Sequence, residues 1–187
     1  LYKNVSPKTA QLPVVLKPEW FSSDWDTCVK NLNNACKLVD EHCGSSLSRG
    51  NDQFLTYSPL IPIIANIINE YPINIDKDTK LSLLRSRKLR AWYFGAGITT
   101  RYSEGSDNKQ TKDLSEMLNW FASDSFEKER PQWLEKIFCD INTLKSGAIG
   151  KAIVSLYNLK KAKDIHYDSE EVGAHRSDCD LHHIFPK

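Results

Sequence analysis

The sequence predicts a mainly α-helical protein: a multi-helix bundle that gives way, near its end, to a short strand. Three observations carry this. Apolar residues recur at helical spacing in several separate stretches. Small polar residues, glycines and prolines stand where helices start and stop. One segment, Leu60 to Ile68, is apolar nearly all round, as expected of a helix in the middle of a bundle.

Residues 1–22 hold scattered prolines without a period and read as a leading segment, with Trp20-Phe21 as an anchor. From about Asp24 to Cys43, Trp25, Cys28, Val29, Leu32, Cys36 and Val39 share one helical face, with Ser23 or Asp24 as cap and Gly44 as terminator. Cys28 and Cys36 on that face are expected to be small core residues. Ser58 and Pro59 suit the N-cap and first position of the apolar helix. Asp76 to Phe94 reads as a helix with Leu81, Leu84, Lys88 and Trp92 along one side and Leu83 near it. A polar turn from Arg101 to Asp107 follows, and Ser106 or Asp107 caps a helix carrying Leu114, Met117, Leu118 and Phe121. Pro131 opens a further helix through Trp133, Ile137 and Ile141, and Ile149 to Lys161 forms the last. The bundle thus occupies 23–161, leaving 162–187 as a separate terminal motif with a strand over Cys179 to Phe185.

Composition narrows the function classes. An apolar share of 40% with 10% aromatics supports a packed core, and 26% charged residues suit a soluble protein. The net charge of +1 means that any polyanion-binding surface must be a local patch. No apolar run is long enough to span a bilayer and no signal peptide is visible, so no membrane partner and a cytoplasmic location are expected. The five cysteines fit no disulfide framework and are expected to be reduced.

The chemistry is concentrated at the end of the chain, in Asp180-Leu181-His182-His183-Ile184-Phe185-Pro186-Lys187. Adjacent strand residues face opposite sides, so one imidazole can hold a metal while its neighbour takes a proton from water. Asp180, two residues before His182, shares its face and can orient it. His175, Cys179 and His182 or His183 also have spacing compatible with structural zinc, though one thiolate falls short of the usual closed set.

Two more blocks precede it: Leu55-Thr56-Tyr57-Ser58-Pro59-Leu60-Ile61-Pro62, and Leu89-Arg90-Ala91-Trp92-Tyr93-Phe94 with Arg101-Tyr102-Ser103-Glu104-Gly105-Ser106-Asp107-Asn108-Lys109. In this order, over roughly residues 55 to 187, the three resemble the C-terminal region of GmrSD-type proteins, modification-dependent restriction and phage-defence enzymes with an HNH nuclease motif. The resemblance implies a metal-dependent DNA endonuclease acting on foreign or modified DNA. It places a divalent cation (Mg, Mn or Ni) on His182 and makes His183 the general base. It also implies a truncated ββα-metal (HNH) motif, because the family's following loop and helix, with further ligands, do not appear after Lys187. The resemblance further implies, as a partner, the family's N-terminal nucleotide-hydrolysing domain, whose Gly-Gln-Gln-Arg-like motif this sequence does not carry. The sequence begins at Leu1 rather than Met, and the chain reads as an excerpt expected to be a poor nuclease alone.

Two other groups are candidates for phosphate or DNA contacts. Arg101, Ser103 and Lys109 cluster in and just after the polar turn. Lys77 to Arg90 holds six basic residues against Asp78 alone, among them Arg87, Lys88 and Arg90. The alternative for the basic run is a solvated helix face. The alternative for the whole chain is a non-catalytic helical DNA-binding or protein-interaction module, or a small zinc-stabilised domain.

Overall fold

The computed structural model describes residues 18–45, 47, 54–73, 79–104, 106–135, 147–161 and 163. Five α-helices and one 3-10 turn follow in order: α1 Pro18–Cys43, α2 Leu60–Glu70, α3 Lys80–Ile98, α4 Ser106–Ala122, the 3-10 turn Gln132–Glu135, and α5 Gly147–Leu159. The expected helical bundle is therefore present. The expected terminal strand, with residues 164–187, lies outside the described residues.

The all-round apolar segment sits at the centre, as its composition requires. α2 packs against α1 on one side and α4 on another. Leu60, Ile63, Ile64 and Ile67 are buried almost completely. Its start differs from the expected serine cap. Pro59 occupies the cap position with no side-chain bond, and the first turn closes through the Tyr57 and Ser58 carbonyls. Pro62 is tolerated because it lies in the first turn, where its missing N–H breaks no helical bond.

α1 starts earlier than its periodicity indicates and ends at Gly44, whose φ of +73° suits a residue without a Cβ. A Cβ there would also lie 2.4 Å from the Ser155 carbonyl oxygen, so glycine permits the close approach of α5. The same junction is tied by Asn158, whose side chain donates to the Gly44 carbonyl at 2.8 Å. Asp40 fixes the exit turn by accepting from Ser45 Oγ and the Leu47 N–H, both at 2.5 Å.

α3 is displaced toward the C-terminus relative to the expected Asp76–Phe94. Thr79 caps it, accepting the Ser82 N–H at 3.1 Å. The buried side also corrects the expectation. Leu81 and Leu83 are exposed, whereas Ser82, Ser86, Lys88, Leu89, Trp92, Tyr93 and Ala96 are buried. Small residues at its C-terminal end let α5 approach, and a Cβ on Gly97 would stand 2.9 Å from that of Ala152.

On α4, Leu114, Met117, Trp120 and Phe121 face the core, with Leu118 partly buried. The expected helix after Pro131 is seen only as its 3-10 first turn, and residues 136–146 lie outside the described residues. α5 occupies nearly the expected span. Cys43 is buried and Cys36 half-buried, but Cys28 is exposed, a correction to its expected core position. Among the described residues no helix is long and apolar enough to cross a membrane.

Candidate nucleic-acid interface

The terminal residues Asp180, His182 and His183, together with His175 and Cys179, lie outside the described residues. Among the described residues no group of three or more His, Cys, Asp or Glu side chains is placed to hold a metal ion. The candidates that can be located are the two basic groups.

The basic run of α3 divides into inward and outward members. Lys88 is fully buried. Its ammonium donates to the carbonyls of Trp120 at 2.5 Å and Ser123 at 2.7 Å. The Trp120 carbonyl belongs to the last turn of α4 and also accepts the Ser123 N–H at 3.2 Å, so Lys88 adds a second donor to the C-terminal end of that helix from another helix. Burial, then the charge of Arg85, lower its pKa to about 8, with Asp124 opposing. Expected as a phosphate contact, Lys88 instead has its head group engaged inside the bundle. Arg85 is half-buried, donates to the Pro72 carbonyl at 2.9 Å, and lies over the Tyr71 ring.

Lys80, Arg87 and Arg90 point outward. At 100° per residue they share one face of α3 with Leu83, over about 15 Å of helix axis. Arg87 stacks over the Phe126 ring at 4.4 Å. That ring is held in turn by an edge contact with Trp120, whose indole N–H donates to the Phe126 carbonyl at 2.8 Å. None of the three cations forms an ion pair with a carboxylate among the described residues. Arg90 adds to burial in lowering the pKa of His42.

The second group is built by the end of α3. Arg101 N–H bonds the Ala96 carbonyl and Thr100 N–H the Gly97 carbonyl, the paired pattern that closes a helix through a left-handed residue. Thr100 holds that position at φ +50°, an uncommon conformation for a β-branched side chain. The reversal sends Arg101 and Tyr102 back toward α4, where both reach Asp113. Arg101 binds the carboxylate through Nε and Nη2, and the Tyr102 hydroxyl donates to Oδ2 at 2.5 Å. Burial opposes the Arg101 charge, but the Asp113 bond outweighs it and holds the pKa above its ordinary value. Burial, reinforced by the Asp113 charge, pushes the Tyr102 phenol upward.

The guanidinium also lies 4.1 Å over the Trp133 ring. Lys109 folds back to donate to the Arg101 carbonyl at 2.8 Å, and Ser103 donates to the Thr100 carbonyl at 2.8 Å. Arg101, Ser103 and Lys109 thereby line one cleft of about 420 Å³ with Thr99, Thr100 and Trp133. Its described lining has two cations and three hydroxyls but no carboxylate. A neighbouring cleft of about 560 Å³ shares Arg101 and Trp133 and adds Lys112, Glu116, Gln132 and Glu135. Its two carboxylates make it the poorer host for a polyanion.

Sequence reasoning thus found three residues of the first cleft and missed Asp113, the residue that fixes Arg101. The available signal was its position. Asp113 falls beside Leu114 on the core face of α4, where a carboxylate needs a partner. Thr99, Thr100 and Trp133 carry no such mark. Comparison of the chain with protein-family models, curated proteins and solved structures returns no match.

Proposed function

We propose that the chain is the DNA-contacting helical part of an HNH-type, metal-dependent endonuclease from a restriction or phage-defence enzyme. The observation that carries DNA contact is the outward row Lys80, Arg87 and Arg90, three exposed cations on one helix face without carboxylate partners among the described residues. Such a row suits a phosphate backbone, whose binding is dominated by neutralisation and counterion release. The hydroxyl-rich cleft at Arg101, Ser103 and Lys109 offers a further phosphate contact, with Arg101 already oriented by Asp113.

The reading as a nuclease rests on the Asp180 to Lys187 block. In it, His182 would hold a divalent cation with Asp180 orienting the imidazole, and His183 takes a proton from the attacking water. One imidazole, oriented by a carboxylate, is a partial donor set that would fit Mg, Mn or Ni only once further ligands complete it. When bound, the cation supplies neutralisation of the charge that develops on the scissile phosphate.

Two measurements test the parts separately. For DNA contact, the affinity for a plain duplex is followed against salt. Arg87→Ala and Arg90→Ala are each expected to weaken binding and to reduce the slope of log K against log salt by about 0.9. Unchanged affinity and slope would remove α3 from the interface. For cleavage, a version carrying a complete HNH motif is assayed for plasmid nicking with Mg, Mn or Ni. His183→Ala is expected to abolish nicking with binding intact, and His182→Ala to raise the metal requirement. Wild-type nicking by the His183 variant would refute the assignment.

A further inference from the structure

α1 is far longer than the helix it packs on, and the excess is not bare polar surface. The level at which α2 ends is marked by Asn31, whose side chain donates to Asn69 at 2.9 Å. Residues 19–30 of α1 continue beyond that point for about 18 Å. An isolated helical stretch of this length is marginal in water and gains its stability from packing one face.

The face in question repeats with coiled-coil spacing. Phe21, Trp25, Cys28, Leu32, Ala35 and Val39 are separated alternately by four and three residues. The C-terminal part of this seam is closed within the chain: Ala35 and Val39 are fully buried and Leu32 is half-buried. Its N-terminal part is open among the described residues: Phe21 and Trp25 are 53% and 57% exposed and stack on each other at 5.6 Å, Val29 beside them is 39% exposed, and Cys28 is exposed. One unbroken seam is thus half intramolecular interface and half overhang.

We infer that the overhanging half of α1 is a homodimer interface, occupied by the same arm of a second copy lying antiparallel. Continuity selects a helix as the occupant, because the open half extends an established helix–helix seam in the same register. Self-complementarity selects a second copy. With the two-fold axis between Trp25 and Cys28, Trp25 pairs with the partner's Cys28, and Phe21 reaches only the outer edge of the partner's half-buried Leu32, where the closed part of the seam begins. Each layer then sets a large side chain against a smaller one, as dense packing requires, and each contact occurs twice, as an isologous interface requires. A parallel arrangement would place two tryptophans in one layer and align the helix dipoles unfavourably.

The area sets the strength. An enclosed aromatic side chain buries about 150–250 Å². With roughly half of each still exposed, the four aromatics contribute about 300–500 Å². Cys28, Val29, Leu32 and the flanking stems bring the total toward roughly 1,000 Å², the lower limit of a specific interface. The dimer is accordingly expected to dissociate in the micromolar range rather than the nanomolar.

The test is sedimentation velocity on the full chain, in reductant, from about 5 to 200 µM, a range that brackets the expected constant. A monomer–dimer equilibrium is expected, and Trp25→Glu and Phe21→Glu should each raise the dissociation constant at least tenfold. Both side chains are exposed, so the circular dichroism spectrum and melting temperature of the variants should match the parent at a concentration where all are monomeric. A dimer indifferent to both substitutions overturns the proposal. So does a monomer at every concentration, whether the arm is then covered by the chain's own leading residues or serves a different helical protein.

Discussion

Lys88 should contribute to stability a part that grows as pH rises from about 8 to 10.5. Its ammonium is fully buried, and its pKa falls from the ordinary 10.5 to about 8. Below pH 8 both folded and unfolded chains hold the proton, and this group contributes no slope. Between pH 8 and 10.5 the folded chain has released it and the unfolded chain has not. The unfolded state then binds more protons, so unfolding becomes less favourable as pH rises. The drop from 10.5 to about 8 corresponds to about 3 kcal/mol accumulated across that window. The neutral amine retains two N–H groups, enough for the carbonyls of Trp120 and Ser123. Other buried groups pull the opposite way. Burial raises the pKa of Cys43 and of Tyr93, so each favours the folded state less as pH passes its unfolded value. The prediction therefore concerns a difference. Urea unfolding of the wild type and of Lys88→Met is compared from pH 7 to 10.5. The variant should be less stable by about 1–3 kcal/mol at pH 7, because the Ser123 carbonyl loses its Lys88 donor and the Trp120 carbonyl keeps only the Ser123 N–H. The gap should widen with pH, by about 3 kcal/mol in all. A gap that stays constant or narrows would refute the depressed pKa, and would mean that the α4 carbonyls hold the proton on Lys88 as firmly as water does.

Three other substitutions probe the fold and the cleft. Ile64→Ala, at a fully buried position of α2, is expected to cost about 2–5 kcal/mol in urea unfolding; a loss below 1 kcal/mol would displace α2 from the centre of the core. Thr100→Gly relieves a β-branched residue held at φ +50° and should stabilise by about 1 kcal/mol, with destabilisation showing that the threonine side chain makes a compensating contact. Asp113→Asn leaves the Arg101 charge buried without its counter-ion and should cost about 3 kcal/mol or more. It should also weaken DNA binding if Arg101 positions a phosphate, and unaltered affinity in a folded variant would take Arg101 out of the interface.

How far the sequence could be read depended on whether neighbours had to be known. The α2 helix needed none: a segment apolar on every side has nowhere to go but the centre, and its burial follows. α3 is the opposite case. Its apolar, small and basic residues are spread around the helix, so several faces compete. The face chosen by leucine spacing loses to the one carrying Ser82, Ser86 and Leu89, because small residues at the end of that helix let α5 come close. Spacing correctly put Lys88 on the side of Trp92, but not which way its ammonium would go. That was decided by the end of α4, where the carbonyls of Trp120 and, just past the helix, Ser123 point toward it.

The same limit explains α1. Its apolar face was legible from periodicity, yet burial of that face depends on the length of the opposing helix. α2 stops at Glu70, so Val39 is enclosed while Trp25, on the same face, is not. In the cleft, Arg101, Ser103 and Lys109 were legible because they are close in sequence. Asp113 was not, although the geometry turns on it: without its carboxylate neither Arg101 nor Tyr102 has a charge-assisted partner there. A polar residue on an apolar helix face is thus the stronger sequence signal, because a buried charge obliges a second residue to be near it. Applied to this chain, that rule finds both buried charges among the described residues, Lys88 and Asp113. Each proves to be where one helix is joined to another element by something other than apolar contact: Lys88 ties α3 to the end of α4, and Asp113 ties α4 to the turn that shapes the cleft.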